Sequence, residues 1–183
     1  MGLNELDGLI ILILLAGLVG GILMRTVRQL MALVIFYVGT IAATQYYHPF
    51  GEWLHNLEPM MSPVIRGTTA FIIIAVLSNL VLNLVSYGAV ENTDLRSMRA
   101  LDFVVGGLLG LLSASLWIIT ITIVMEFWLS VPWTITREPT RFSIIDGFNA
   151  SALMTFFRQW DEIIRGAVGP FIPDFVPNLF RLK

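Results

Sequence analysis

The 183-residue chain is 56% hydrophobic and 13% charged with a mean hydropathy of +0.80, which excludes an ordinary water-soluble domain. Its net charge of −2, without any run of lysine or arginine, lacks the electrostatic footprint of a nucleic-acid binder. The absence of cysteine removes disulfides, thiolate metal sites, iron–sulfur clusters and cysteine nucleophiles together.

The chain opens Met1-Gly2-Leu3-Asn4-Glu5-Leu6-Asp7, acidic where a secretory signal needs basic residues, and no convincing cleavage site ends the apolar run that follows. That run is therefore expected to stay in the protein. Leu6 stands where a myristoylation signal wants Ser or Thr. Residues 4–24, uncharged from Gly8 to Met24, supply about the twenty residues needed to cross roughly 30 Å of hydrocarbon. Arg25-Thr26-Val27-Arg28-Gln29 then predicts a tight turn into an antiparallel second span, 30–47. Pro49, Pro59 and Pro63 predict a loop from His48 to Arg66, lying on the membrane surface where Tyr46, Tyr47, Phe50 and Trp53 favour the headgroup level.

A third span, 67–90, and a fourth, 103–129, are separated by a polar stretch with Glu91, Asp94, Arg96, Arg99 and Asp102. Residues 1–131 are thus expected to form a four-helix transmembrane domain. In 132–183, Arg137, Glu138, Pro139 and Arg141 predict a linker, and the Ser143-to-Asp146 spacing of a capping box predicts a helix start. Ser151, Thr155, Arg158, Glu162 and Arg165 recur on one side of that helix, with Phe148, Ala152, Phe156, Trp160, Ile163 and Ala167 on the other. Such an amphipathic helix, ended by Gly166, Gly169 and Pro170, would lie along the membrane interface or on the bundle, with Pro173 and Pro177 keeping the tail extended. The fold class is therefore all-α integral membrane: four transmembrane helices plus a C-terminal amphipathic interfacial helix. Leu6-Asp7 and Leu101-Asp102 both precede glycine-containing spans, a hint of two related hairpins.

An even number of spans puts both termini and the middle loop on one side of the membrane. Arg66, Arg137 and Arg141 on that side nearly balance Arg25, Arg28, Arg96 and Arg99 on the other, and the acidic N-terminus favours both ends outside.

Membrane helices associate where small residues let backbones approach. Gly17 and Gly21 in the first span, and Gly106, Gly110 and Ala114 in the fourth, have that spacing, serving either a partner groove or, more commonly, internal packing. Asn79, Asn83 and Ser86 share a face of the third span and must meet protein or water, either across the bundle or along a polar path. Glu126 is an intramembrane carboxylate by position, although Trp128 and Pro132 favour its reaching the interface. His48 and His55 are too few and too peripheral for haem or zinc. No GxSxG, GxGxxG or Walker sequence occurs. No enzyme, cofactor or metal site is expected; the expected partners are the lipid bilayer and a membrane protein or a second copy, and not nucleic acid.

The order of features resembles the colicin V production protein (CvpA) family of bacterial inner-membrane proteins. The resemblance rests on Asn4-Glu5-Leu6-Asp7 before the first span and on Gly17, Gly20 and Gly21 before Arg25 and Arg28. It continues in Leu101-Asp102 followed by Gly106 and Gly110, and covers roughly the first 130 residues. Phe103 stands where that family usually has an arginine, and Ser113 and Ala114 where a second arginine or glycine is usual. The resemblance implies a non-enzymatic helper in toxin export or envelope homeostasis. The alternatives are an accessory subunit of a larger respiratory, photosynthetic or translocation complex, and an oligomeric channel or transporter built on Asn79, Asn83 and Glu126.

Overall fold

A computed structural model describes residues 4–89, 99–130, 132, 138–168 and 170. Its regular elements are all helical: α1 (Glu5–Leu57), α2 (Pro63–Ala89), α3 (Arg99–Leu129), α4 (Glu138–Ala150), α5 (Ala152–Arg158) and α6 (Asp161–Val168). Among these, α1, α2 and α3 are long and apolar enough to cross a membrane. Large apolar side chains such as Leu12 and Leu23 on α1, Leu84 on α2 and Leu108 on α3 stay exposed, as they can where the surrounding solvent is lipid.

Asn4 starts α1 with a capping box: its side chain accepts from the Glu5 N–H at 2.6 Å, and the Asp7 carboxylate accepts from the Asn4 N–H at 2.9 Å. The helix is interrupted at one residue, Arg25, whose φ of 64° and ψ of 172° lie where a side chain is sterically disfavoured. This break divides α1 into a first arm, 5–24, about 30 Å long, and a second arm, 26–57, about 48 Å long.

Contacts with α3 fix the direction of each arm. Gly21 meets Gly106 while Gly17 meets Gly110 and Ala114, so the first arm runs antiparallel to α3. Thr26 bonds Asp102, and Phe36 meets the Trp117 ring edge-on at 5.0 Å, so the second arm runs parallel to α3. The chain therefore reverses at Arg25. Asn79 packs on Gly39 and Arg66 on Gly51, which makes α2 antiparallel to the second arm. Four apolar segments alternate in direction.

The sequence expectations are corrected in three places. First, the expected spans 4–24 and 30–47 belong to one helical element, and the turn expected over 25–29 shrinks to Arg25, because Asp102 gives the Thr26 N–H an acceptor as soon as the new helix begins. Second, most of the loop expected from His48 to Arg66 is helix. The second arm continues through Pro49 to Leu57, with Pro49 and Gln45 both on the exposed side. Only 58–62 separate it from α2. There Ser62 accepts from the Ile65 N–H, Pro63 takes the first helical position, and Glu52 pairs with Arg66 at 2.8 Å. The far end of the third expected span and the stretch with Glu91, Asp94 and Arg96 lie outside the described residues, and α3 starts four residues before 103, at Arg99.

Third, the single amphipathic helix is three short ones. Helix α4 already includes Pro139 and Arg141, so Ser143 sits inside it and caps nothing; Arg137 lies outside the described residues. Ser151, extended at φ −77° and ψ 124°, caps α5 by accepting from the Met154 N–H at 3.0 Å, and a turn at Gln159 and Trp160 precedes α6. Each interruption resets the helical register. Phe148 is buried, but Ala152, Phe156, Trp160, Ile163 and Ala167 are exposed, while Met154, Phe157, Ile164 and Val168 enter the core. Ser151, expected on the polar side, is buried. Gly166 lies within α6, and Gly169, Pro173 and Pro177 lie outside the described residues. A continuous core joins Ile10, Phe36, Tyr47, Phe71, Ile118 and Ile123 of the long helices to Phe148, Met154, Phe157, Ile164 and Val168.

Candidate functional site

Two buried carboxylates organise the bundle, each from the first turn of a long apolar helix. Asp7, 0% exposed, accepts from the Ser151 hydroxyl at 2.6 Å and the Leu153 N–H at 2.9 Å in addition to its bond from Asn4. One carboxylate thus serves the free amides of two helix starts, those of α1 and α5. Asn4 reinforces this junction by donating from its side-chain amide to the Gly147 carbonyl at 2.9 Å.

Asp102, 3% exposed, plays the matching part at the opposite end of the pair formed by the first arm and α3. Its carboxylate accepts from the Thr26 N–H at 3.0 Å, and its carbonyl accepts from the Thr26 hydroxyl at 3.1 Å. It caps the second arm where Arg25 breaks the helix. Phe103, at the position where the resemblance suggested arginine, places its ring 5.7 Å from the Arg25 guanidinium. The two Leu-Asp pairs therefore perform the same task, joining the first turn of one helix to the start of another.

Between them the helices touch through glycine. A Cβ added to Gly21 would stand 2.2 Å from the Gly106 carbonyl oxygen, one on Gly110 2.2 Å from the Gly17 oxygen, and one on Gly17 2.6 Å from the Ala114 Cβ. These distances are below any van der Waals contact, so the crossing depends on missing side chains. Gly17, Gly21, Gly106, Gly110 and Ala114 are all engaged within this chain.

The intramembrane polar residues are not brought together. Asn79 is buried against Gly39 and donates to the Ala75 carbonyl at 2.9 Å. Asn83 donates to the Asn79 carbonyl at 2.8 Å and is exposed, and Ser86 is half-buried. Glu126 pairs with Arg158 of α5, and both line a cleft of about 220 Å³ with Leu129, Ile145, Phe148 and Asn149. Phe156, Trp160 and Ile163 form an exposed apolar ridge, with Phe156 and Trp160 ring centroids 6.1 Å apart.

Sequence reading missed Asp7, Asp102, Thr26 and Ser151 as partners. The available signal was an acid placed at the very start of an uncharged run, where burial demands donors and a helix start supplies them. A family described as colicin V production protein matches residues 6–158, so the similarity extends past the first 130 residues to Arg158 at the end of α5. No curated protein and no solved structure matches the chain.

Proposed function

The chain belongs to the colicin V production protein family, and from that premise we propose that it crosses the bacterial cytoplasmic membrane four times and assists secretion or envelope maintenance by contacting other proteins, without catalysis. Both termini and the turn at 58–62 lie on the outer side in this reading.

The observation that carries the proposal is how the polar groups of the bundle are used. Asp7 and Asp102 cap helices, and Thr40, Thr68, Asn79, Ser115, Thr120 and Thr122 donate to backbone carbonyls four residues earlier in their own helices. Chemistry would require side chains converging on a shared point, whereas bonds of this kind satisfy each polar group within its own helix and leave the outer surface for recognition. Alternation of four apolar segments supports the four crossings. The ridge of Phe156, Trp160 and Ile163 supports an interfacial or partner-docking role for the C-terminal helices.

Deletion of the gene is expected to impair protein export or growth under envelope stress, with recovery on re-expression of the intact chain. Unchanged export and stress resistance would contradict the proposal. Purification in mild detergent as part of one stoichiometric respiratory or translocation complex would instead identify an accessory subunit.

A further inference from the structure

We propose that the exposed flank of α2 is a self-association surface on which a second copy of this chain docks, with Asn83 paired to Asn83 of the other copy. The proposal rests on the four-crossing reading, because it depends on where Asn83 sits in the bilayer. Helix α2 is the outer helix of the bundle, packing on the second arm of α1 and only marginally on α3. Ile72, Val76, Leu80 and Asn83 follow one another at spacings of four, four and three, which places them in a single stripe beside the face packed on α1. All four are exposed.

The depth of Asn83 follows from the helix pairing. Asn79 meets Gly39, so in the antiparallel pair Asn83 stands level with Ile35, about 14 Å along the second arm from the reversal at Arg25. That is close to half of a hydrocarbon core of about 30 Å. The Asn83 side-chain N–H bonds the Asn79 carbonyl, while its amide oxygen accepts nothing among the described residues. Lipid tails offer that oxygen no donor, and protein does.

A second copy fits better than an unrelated helix for two reasons. An asparagine amide both donates and accepts, so it is complementary to itself. A two-fold pair of membrane proteins inserted in the same orientation has its axis along the membrane normal, which brings each residue of α2 to the depth of its own counterpart. Asn83 then meets Asn83, and the Ile72, Val76 and Leu80 stripes continue the seam, much as one asparagine sets register in a coiled coil.

Absence of cysteine lets single-cysteine variants report without background. Oxidation in native membranes is expected to give disulfide-linked dimers from Val76→Cys and Leu80→Cys, both of which keep Asn83, and none from Leu108→Cys, which is 60% exposed on α3. In vesicles, Asn83→Leu is expected to weaken the monomer–dimer equilibrium about threefold to thirtyfold, with Asn83→Gln restoring it. Monomers throughout, dimers only through Leu108→Cys, or undiminished association of Asn83→Leu would overturn the proposal. A water-soluble maleimide separates its two foundations. Shielding of Leu80→Cys without cross-linking overturns self-association alone, whereas ready labelling of that cysteine in monomers overturns the crossing of α2 as well.

Discussion

Gly21→Leu is expected to prevent the protein from accumulating in membranes, and Gly21→Ala to lower its stability in detergent by about 1–3 kcal/mol, towards the upper end. The atom that a new Cβ would strike, 2.2 Å away, is the carbonyl oxygen of Gly106, and backbone cannot rotate aside as the tip of a side chain can. The first arm and α3 would have to separate, losing close contact along the whole crossing from Gly17 and Ala114 to Gly21 and Gly106. Gly20 is the internal control. A Cβ there meets nothing within 4 Å, so Gly20→Ala should be neutral or stabilise by up to about 1 kcal/mol through helix propensity. Thermal unfolding of the purified variants, followed by tryptophan fluorescence or circular dichroism, reads the contrast. Equal losses at Gly20 and Gly21 would refute the crossing.

Asp7→Ala is expected to release the C-terminal helices while leaving the long helices assembled. It removes the acceptor of the Ser151 hydroxyl, the Leu153 N–H and the Asn4 N–H together, in a site closed to water. Asp7→Asn should have a smaller effect, since its amide oxygen can still accept from Ser151 and Leu153 while its amide nitrogen is set against the Asn4 N–H. Limited proteolysis should then cut first within α4 to α6, and Ser151→Ala should show the same pattern more weakly. Asp102→Ala should act at the other end, loosening the reversal at Arg25 while α5 keeps its protection. Protection of α4 to α6 that is unchanged in Asp7→Ala would contradict the junction.

These two sets of residues differ in how far the sequence revealed them. Gly17, Gly21, Gly106, Gly110 and Ala114 were visible because spacing along one helix encodes a face, and close approach needs only that face. Pairing Asp7 with Ser151 was not visible, because 144 residues separate them and nothing local records which helix start will arrive beside a buried acid. The Leu6-Asp7 and Leu101-Asp102 similarity hinted at related hairpins. The structure gives that hint a physical content: each aspartate caps a helix to which it is not adjacent in sequence. The C-terminal register was misread for a simpler reason. An unbroken period of 3.6 residues does not carry across Ser151 and Trp160, because each interruption turns the following helix to a new face. The antiparallel hairpin is legible in the interruption of the apolar run at Arg25, but the shortness of its turn is not, since one residue at positive φ with an external cap suffices where a polar turn of several residues is expected.

In the proposed topology the chain reverses at Arg25 and crosses the membrane four times. Single cysteines at Asn4, Arg28 and Met60, the last 94% exposed, test it in intact cells and in permeabilised ones with a membrane-impermeant thiol reagent. Four crossings predict that Asn4→Cys and Met60→Cys are labelled from the same side, the outer one in the orientation proposed above, with Arg28→Cys labelled only from the opposite side. Labelling of Asn4→Cys and Met60→Cys from opposite sides, with Arg28→Cys shielded from both, would mean that α1 crosses once as a single helix and would contradict the account.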